Sequence, residues 1–179
     1  METRTGNLII STSGGTAGGS ANNYKISLPS TWVKELGLDA ENRQMELCFD
    51  GTSITITRQL SFSEFLEANR QTGHKLLLIS CYSGPLLCAR IAADETAKKL
   101  RVENLVSDFL KLPFGNNQNP SWEDYLHFLE SRCIPRTRAG LREYLETIGV
   151  DHYDPLEIIR KTQGRMAEDD IWLTVEEKK

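Results

Sequence analysis

Tyr24-Lys25-Ile26-Ser27-Leu28-Pro29-Ser30-Thr31-Trp32-Val33-Lys34-Glu35-Leu36-Gly37-Leu38 is the stretch that decides the fold of the first third of the chain. A strand ending in Leu28-Pro29 cannot run on into a ladder, because proline has no N–H to donate, while its fixed φ suits the first turn of a helix. Leu28, Trp32 and Leu36, joined by Val33, recur at helical spacing and predict one short amphipathic helix. Gly37 stands where a left-handed C-cap residue is wanted. Next, Gln44–Phe49 alternates polar and apolar residues, Asp50-Gly51 predicts a hairpin turn, and Ser53–Arg58 alternates again. The order is strand, helix, hairpin.

These residues resemble the AbrB/MazE/SpoVT swapped-hairpin family over about residues 5–58. The shared pattern runs basic–apolar–polar–apolar–Pro, a short helix, Leu-Gly-apolar, then two strands around a tight turn. The resemblance implies a swapped-hairpin β-barrel formed by an intertwined homodimer, since so small a unit is marginal as a monomer on surface-to-volume grounds. It also implies operator DNA as a ligand, which many members bind. Residue by residue it carries over Lys25 and Lys34, and Arg4 and Arg43 complete the candidate DNA-binding set. Two positions depart from the pattern. Val33 stands where many DNA-binding members have a second basic residue, and Asn42 where the family often has glycine, although asparagine tolerates positive φ. Residues 1–60 hold five basic residues against six acidic ones, a thin footprint for phosphate neutralisation. Lys25 and Lys34 as solvated lysines on a dimerisation module therefore stand as the alternative to DNA contact.

Upstream, Ser11–Ser20 is rich in glycine and hydroxyl residues, and predicts a mobile loop between a first strand at Asn7–Ile10 and the second. It lacks the lysine and the glycine spacing of a phosphate-binding P-loop. The 179 residues, 39% hydrophobic, suffice for one ordinary domain or two small ones, and the net charge of −4 excludes a global basic field. Cys48, Cys81, Cys88 and Cys133 form no C-x-x-C pair, and His74, His127 and His152 are equally scattered, so neither a metal nor another cofactor is expected. No signal peptide or apolar run near twenty residues is evident, which predicts no membrane association and a cytoplasmic location.

A boundary at Gln59–Ser61 divides the chain into residues 1–59, for dimerisation and DNA binding, and residues 60–179, a partner-interaction domain; the fold class expected is α+β. In the second part, Ser61 and Glu64 have capping-box spacing before a short helix. Lys75–Tyr82 is a continuous apolar strand, turned by Ser83-Gly84-Pro85 and answered by Leu86–Ile91, which predicts burial on both faces. Leu100–Phe114 reads equally as strand or helix, and residues 115–120 as a loop. Ser121 caps a helix with Trp122, Tyr125, Leu126 and Leu129 on its apolar face. Thr137 opens a second helix carrying Leu141, Tyr144, Leu145 and Ile148, ended by Gly149. Asp154-Pro155 starts a third with Leu156, Ile158 and Ile159, ended by Gly164. With Trp172 in a terminal strand, these helices predict a bundle-like end.

The last fifty or so residues weakly resemble a module of small Firmicutes proteins associated with HipA-like kinases, through Phe128–Arg138, Tyr153–Ile159 and Gly164–Trp172. That implies a toxin–antitoxin or mobile-element setting and an interaction role; no kinase motif is present. Arg132, Arg136, Arg138 and Arg142 are the candidate partner-binding set, since guanidinium forks clamp carboxylates and phosphates, with Glu130, Glu143 and Glu146 available as local ion-pair partners instead. Glu168-Asp169-Asp170 reads as a capping or solvated acidic turn rather than a Mg²⁺ site. No nucleophile, base and oxyanion donors can be assembled, so there are no catalytic candidates and a non-enzyme is expected. The expectation is a dimeric DNA-binding regulator of antitoxin type. It would bind double-stranded DNA through the first domain and a toxin, kinase or other protein through the second. The alternatives are a phage- or plasmid-encoded inhibitor of a nuclease, such as an anti-CRISPR protein, and a structural dimer without a nucleic-acid role.

Overall fold

The computed structural model describes residues 2–13 and 21–178, which divide into two compact units, Met1–Gln59 and Leu60–Lys179. The described residues make a mixed α+β protein with small antiparallel sheets and five α-helices.

In the first unit, strand β1 (Leu8–Ser13) pairs antiparallel with β2 (Ala21–Ile26). β1 therefore runs three residues further than the sequence predicts, and what remains of the expected glycine-rich loop, residues 14–20, lies outside the described residues. Helix α1 (Ser30–Glu35) follows with Pro29 as its N-cap, and Gly37, at φ +68°, supplies the left-handed turn that ends it. Strand β3 (Met45–Phe49) then pairs with β4 (Ile54–Arg58). The hairpin connection is a four-residue loop, and β4 starts one residue later than the Ser53 that the alternation suggests. The Asp50 carboxylate accepts hydrogen bonds from the backbone N–H groups of Thr52 and Ser53 at 2.9 and 2.8 Å, so the side chain builds the turn and β4 starts at Ile54.

Register shows what these ribbons lack. Leu8 faces Ile26 and Ile10 faces Tyr24 on one side of the first ribbon, whereas Ile9 pairs with Lys25 and Ser11 with Asn23 on the other. On the second ribbon Met45, Leu47, Phe49, Ile54 and Ile56 share a face. Both apolar faces are open: Tyr24 is 61% exposed, Leu47 65% and Phe49 72%, and among the described residues of this unit Leu38 is the one large apolar residue that is buried.

The second unit closes its core. Helix α2 (Phe62–Arg70) opens with a complete capping box between Ser61 and Glu64. Strands β5 (Leu76–Ser83), β6 (Leu86–Asp94), β7 (Lys99–Asn104) and β8 (Ile171–Lys178) form one antiparallel sheet in the order β7-β6-β5-β8. The ambiguous 100–114 stretch resolves into β7 and a 3-10 turn at Phe109–Lys111. Helices α3 (Trp122–Ser131), α4 (Leu141–Ile148) and α5 (Pro155–Thr162) complete the unit. They are not a separate bundle, because one core joins Leu77, Ile79, Ile91 and Leu173 of the sheet to Tyr125, Leu129, Leu145, Ile158 and Ile159 of the helices. On the sheet's other face Leu76 and Ala92 pack with Phe65 of α2. The continuous apolar character of β5 thus reflects burial on both faces near Leu76.

Two helices differ from their sequence reading. On α3, Leu126 is exposed and Phe128 takes its place in the core. α4 begins at Leu141 behind Gly140, not at Thr137, since Gly140 in the left-handed region breaks the helix before it.

Candidate functional site

The candidate DNA-contacting residues of the first unit lie on β2, on α1 and in the segments that precede β1 and β3. Lys25 lies on β2, on the face of the ribbon opposite Leu8, Ile10, Tyr24 and Ile26. Lys34 occupies the last turn of α1, and Arg43 precedes β3. All three are exposed, and none has an ion pair among the described residues. Arg4 differs, since it pairs with Glu2 at 2.8 Å and lies over the Trp32 ring at 5.7 Å. Glu2 also accepts the Trp32 indole N–H at 2.9 Å; these bonds, that to Trp32 foremost, hold its carboxyl below the usual range. Arg4 is thereby part of a small cluster tying the N-terminal residues to α1.

The four arginines of the second unit separate into two kinds. Arg132 is 7% exposed, and its guanidinium bonds both carboxylate oxygens of Asp169, at 2.6 and 2.9 Å, and the carbonyls of Gly164 and Ile171, at 2.9 and 2.8 Å. It is an internal clamp joining the end of α3 to the approach to β8. Its hydrogen bonds are also what hold the Asp169 carboxyl below the usual carboxylate range. Gly164 completes the clamp, for at φ +60° a Cβ would sit 3.2 Å from Arg132 Cβ and 3.2 Å from Leu173 Cδ1. Arg136, Arg138 and Arg142 are exposed. Arg136 pairs with Glu130 at 3.0 Å and covers the Tyr153 ring at 4.2 Å, Arg142 pairs with Glu146 at 3.0 Å, and Arg138 has no ion pair among the described residues. Of the acidic turn, Asp169 is the clamp's acceptor and Asp170 gives its carbonyl to the Gly84 N–H at 3.0 Å.

Much of the second resemblance therefore describes structure. Tyr153 donates its hydroxyl to the Ile134 carbonyl at 2.9 Å, Asp154 caps α5, and Trp172 donates its indole N–H to the Gly84 carbonyl at 2.7 Å while stacking on Tyr82. Burial pushes the Cys81 and Cys133 thiols up to about 12, leaving neither as a thiolate at neutral pH. Among the described residues, no group of three or more His, Cys, Asp or Glu is placed to hold a metal, and no helix is long and apolar enough to cross a membrane.

One constellation escaped the sequence reading. His74 Nδ1 lies 2.8 Å from Asp94 Oδ2, and the Asp94 carboxylate, 4% exposed, also accepts the N–H groups of Thr96 and Ala97 at 3.0 and 2.8 Å. Burial opposes ionisation of Asp94, yet these hydrogen bonds keep its carboxyl below the usual range. The residues are twenty apart, and only the β5–β6 register, which sets Leu76 opposite Asp94, brings them together.

No protein-family model matches the chain, and neither the curated proteins nor the solved structures yield a match.

Proposed function

We propose that this protein is a dimeric DNA-binding regulator of the antitoxin type, with an AbrB-like swapped-hairpin unit at residues 1–59 and a partner-binding unit at residues 60–179. The observation that carries the reading is the pair of amphipathic ribbons whose apolar faces stand open. Each large side chain among them gains on the order of 1.5–3 kcal/mol on full burial. A second copy can cover all of them at once, supplying a core that one copy lacks. A dimer closed over those faces leaves Lys25 on the outer side, and the exposure of Lys34 and Arg43 fits phosphate contact better than a purely structural dimer would require. Arg136, Arg138 and Arg142 form the exposed basic set offered to the protein partner, and regulation of the chain's own promoter is coupled to neutralising that partner.

The overall charge of −4 favours a second reading, a mobile-element inhibitor whose acidic surface is drawn to a basic nuclease channel, such as that of a CRISPR effector. One experiment separates the two. Full-length protein is titrated with its own upstream duplex and with a scrambled duplex across a salt series, beside the Lys25→Ala/Lys34→Ala variant. Regulation predicts sequence-preferring binding that the variant weakens, with a salt slope shallower by about 3–4 when two phosphate contacts per protomer are lost from a dimer. Absence of binding at low salt would reject the DNA-binding reading.

A further inference from the structure

His74 lines a pocket of about 330 Å³ together with Asn69, Arg70, Lys75, Glu177 and Lys178 among others. Its volume is at the lower end of small-molecule sites. Three lining residues are permanent cations and one is acidic, in a chain whose total charge is −4. Glu177 lies 3.9 Å from Arg160, a second claim on its carboxylate. Arg70 and Lys178 hold exposed pairs with Glu67 and Glu176, of the kind worth little in water and readily exchanged for a better anion. Lys75 is exposed and has no ion pair among the described residues.

The imidazole is the fixed part of this site. Asp94 engages Nδ1 and is itself immobilised by two backbone N–H groups, so the ring is oriented by a buried carboxylate. Carboxylates hold functional histidines in this way, leaving the other nitrogen for the ligand. Nε2 of His74 has no partner among the described residues. A hydrogen bond needed only to close the β6–β7 turn is already supplied by the N–H groups of Thr96 and Ala97, so the turn alone does not call for the histidine.

We propose that this pocket binds the phosphate group of a small phosphorylated molecule, with His74 Nε2 and the Lys75 ammonium as direct partners and Arg70 and Lys178 closing around it. Phosphate monoesters change charge near neutral pH, so Nε2 and a phosphate oxygen share one proton. A neutral Nε2 accepts from the monoanion's P–OH, and a protonated Nε2 donates to the dianion. Lys75 supplies the charge, and no bond is made or broken. The inference does not rest on the reading of the N-terminal unit.

The test is a titration of the full-length protein with ribose 5-phosphate and with inorganic phosphate, read by the His74 imidazole C–H resonances and by ³¹P shifts. Sulfate at matched ionic strength and a 5′-phosphorylated oligonucleotide form parallel arms. The proposal requires saturable shifts with the two phosphates, weaker or absent shifts with sulfate, and about tenfold weaker binding in Lys75→Ala and in His74→Gln. Lys75 is exposed, so its variant carries the test even where His74→Gln disturbs the fold. Shifts that never saturate, an equal response to sulfate, binding of the oligonucleotide alone, or Lys75→Ala binding phosphate like the parent would each overturn it.

Discussion

Both units are built on four antiparallel strands, used to opposite ends. In residues 60–178 every sheet strand contributes side chains to a closed core, with Leu77, Ile79 and Ile91 fully buried. In residues 2–59 the ribbons have equally regular alternation, yet Leu8, Ile10, Tyr24, Ile26, Leu47, Phe49 and Ile54 are all more than half exposed. Isolated two-stranded ribbons are at best marginally stable in water. The second unit closes its core within one chain, whereas the first leaves its apolar faces exposed, and under the proposed function a second copy covers them.

The sharpest way to break this contrast is to charge the open faces. The double substitution Leu47→Asp/Phe49→Asp should abolish self-association in sedimentation velocity and unfold the first unit, while the second keeps its cooperative transition. A protein still dimeric after this change would refute the swapped-hairpin reading. Conversely, Ile91→Ala in the closed core should cost about 2–5 kcal/mol in urea denaturation, independently of protein concentration. The midpoint of the first unit should instead rise with concentration, as coupled folding and association demand.

The clamp gives the next largest effect. Arg132→Ala should destabilise the second unit by about 3 kcal/mol, because it leaves the carbonyls of Gly164 and Ile171 and the Asp169 carboxylate without their donor. Asp169 also sets a pH dependence. Its folded carboxyl lies below the unfolded value of about 3.9. Its contribution is therefore fully present above that value and disappears as pH falls through the lower, folded one. Asp169→Asn should lower stability at neutral pH and flatten the acid limb of the second unit's stability curve, measured by thermal melts from pH 7 down to pH 2.

What could be read from the sequence was local. Pro29, Gly37, Ser61, Ser121, Asp154-Pro155 and Gly149 each act within a few residues of an element's end, through a missing N–H, a positive φ or a side-chain cap, and the structure has the helices accordingly. What could not be read depends on register. Arg132 and Asp169 are thirty-seven residues apart and meet only when β8 docks beside β5, so a guanidinium that spacing groups with three surface arginines becomes an internal brace. His74 and Asp94 were hidden for the same reason. Alternation in the ribbons identifies an apolar face but says nothing of what covers it, and this is why the function of the first unit stays a proposal while its strands are plain.

Smaller effects refine the comparison. Ser121→Ala should cost the second unit about 1 kcal/mol, since Ser121 Oγ accepts the Asp124 N–H at 3.1 Å and the Asp124 carboxylate in return accepts the Ser121 N–H at 2.7 Å. The first unit's transition should not move. Shared movement would show that the two units melt as one.

Arg142→Ala should have the least effect on stability and is informative for that reason. Arg142 meets Glu146 across one helical turn at 3.0 Å, with its side chain 88% exposed, and exposed pairs of this spacing contribute only about 0.3–0.5 kcal/mol. Arg132→Ala removes the same guanidinium from a place where it is 7% exposed and bonded to four acceptors, so the two variants differ several-fold in cost although the residues read alike in sequence. A surface arginine that adds so little to the fold is free to serve a partner. Arg142→Ala, together with Arg138→Ala, should therefore leave the melting curve within about 0.5 kcal/mol of the parent while weakening capture of the protein partner. If the double variant is as stable as the parent and binds its partner equally well, these arginines are solvated charges and the partner surface lies elsewhere on the second unit.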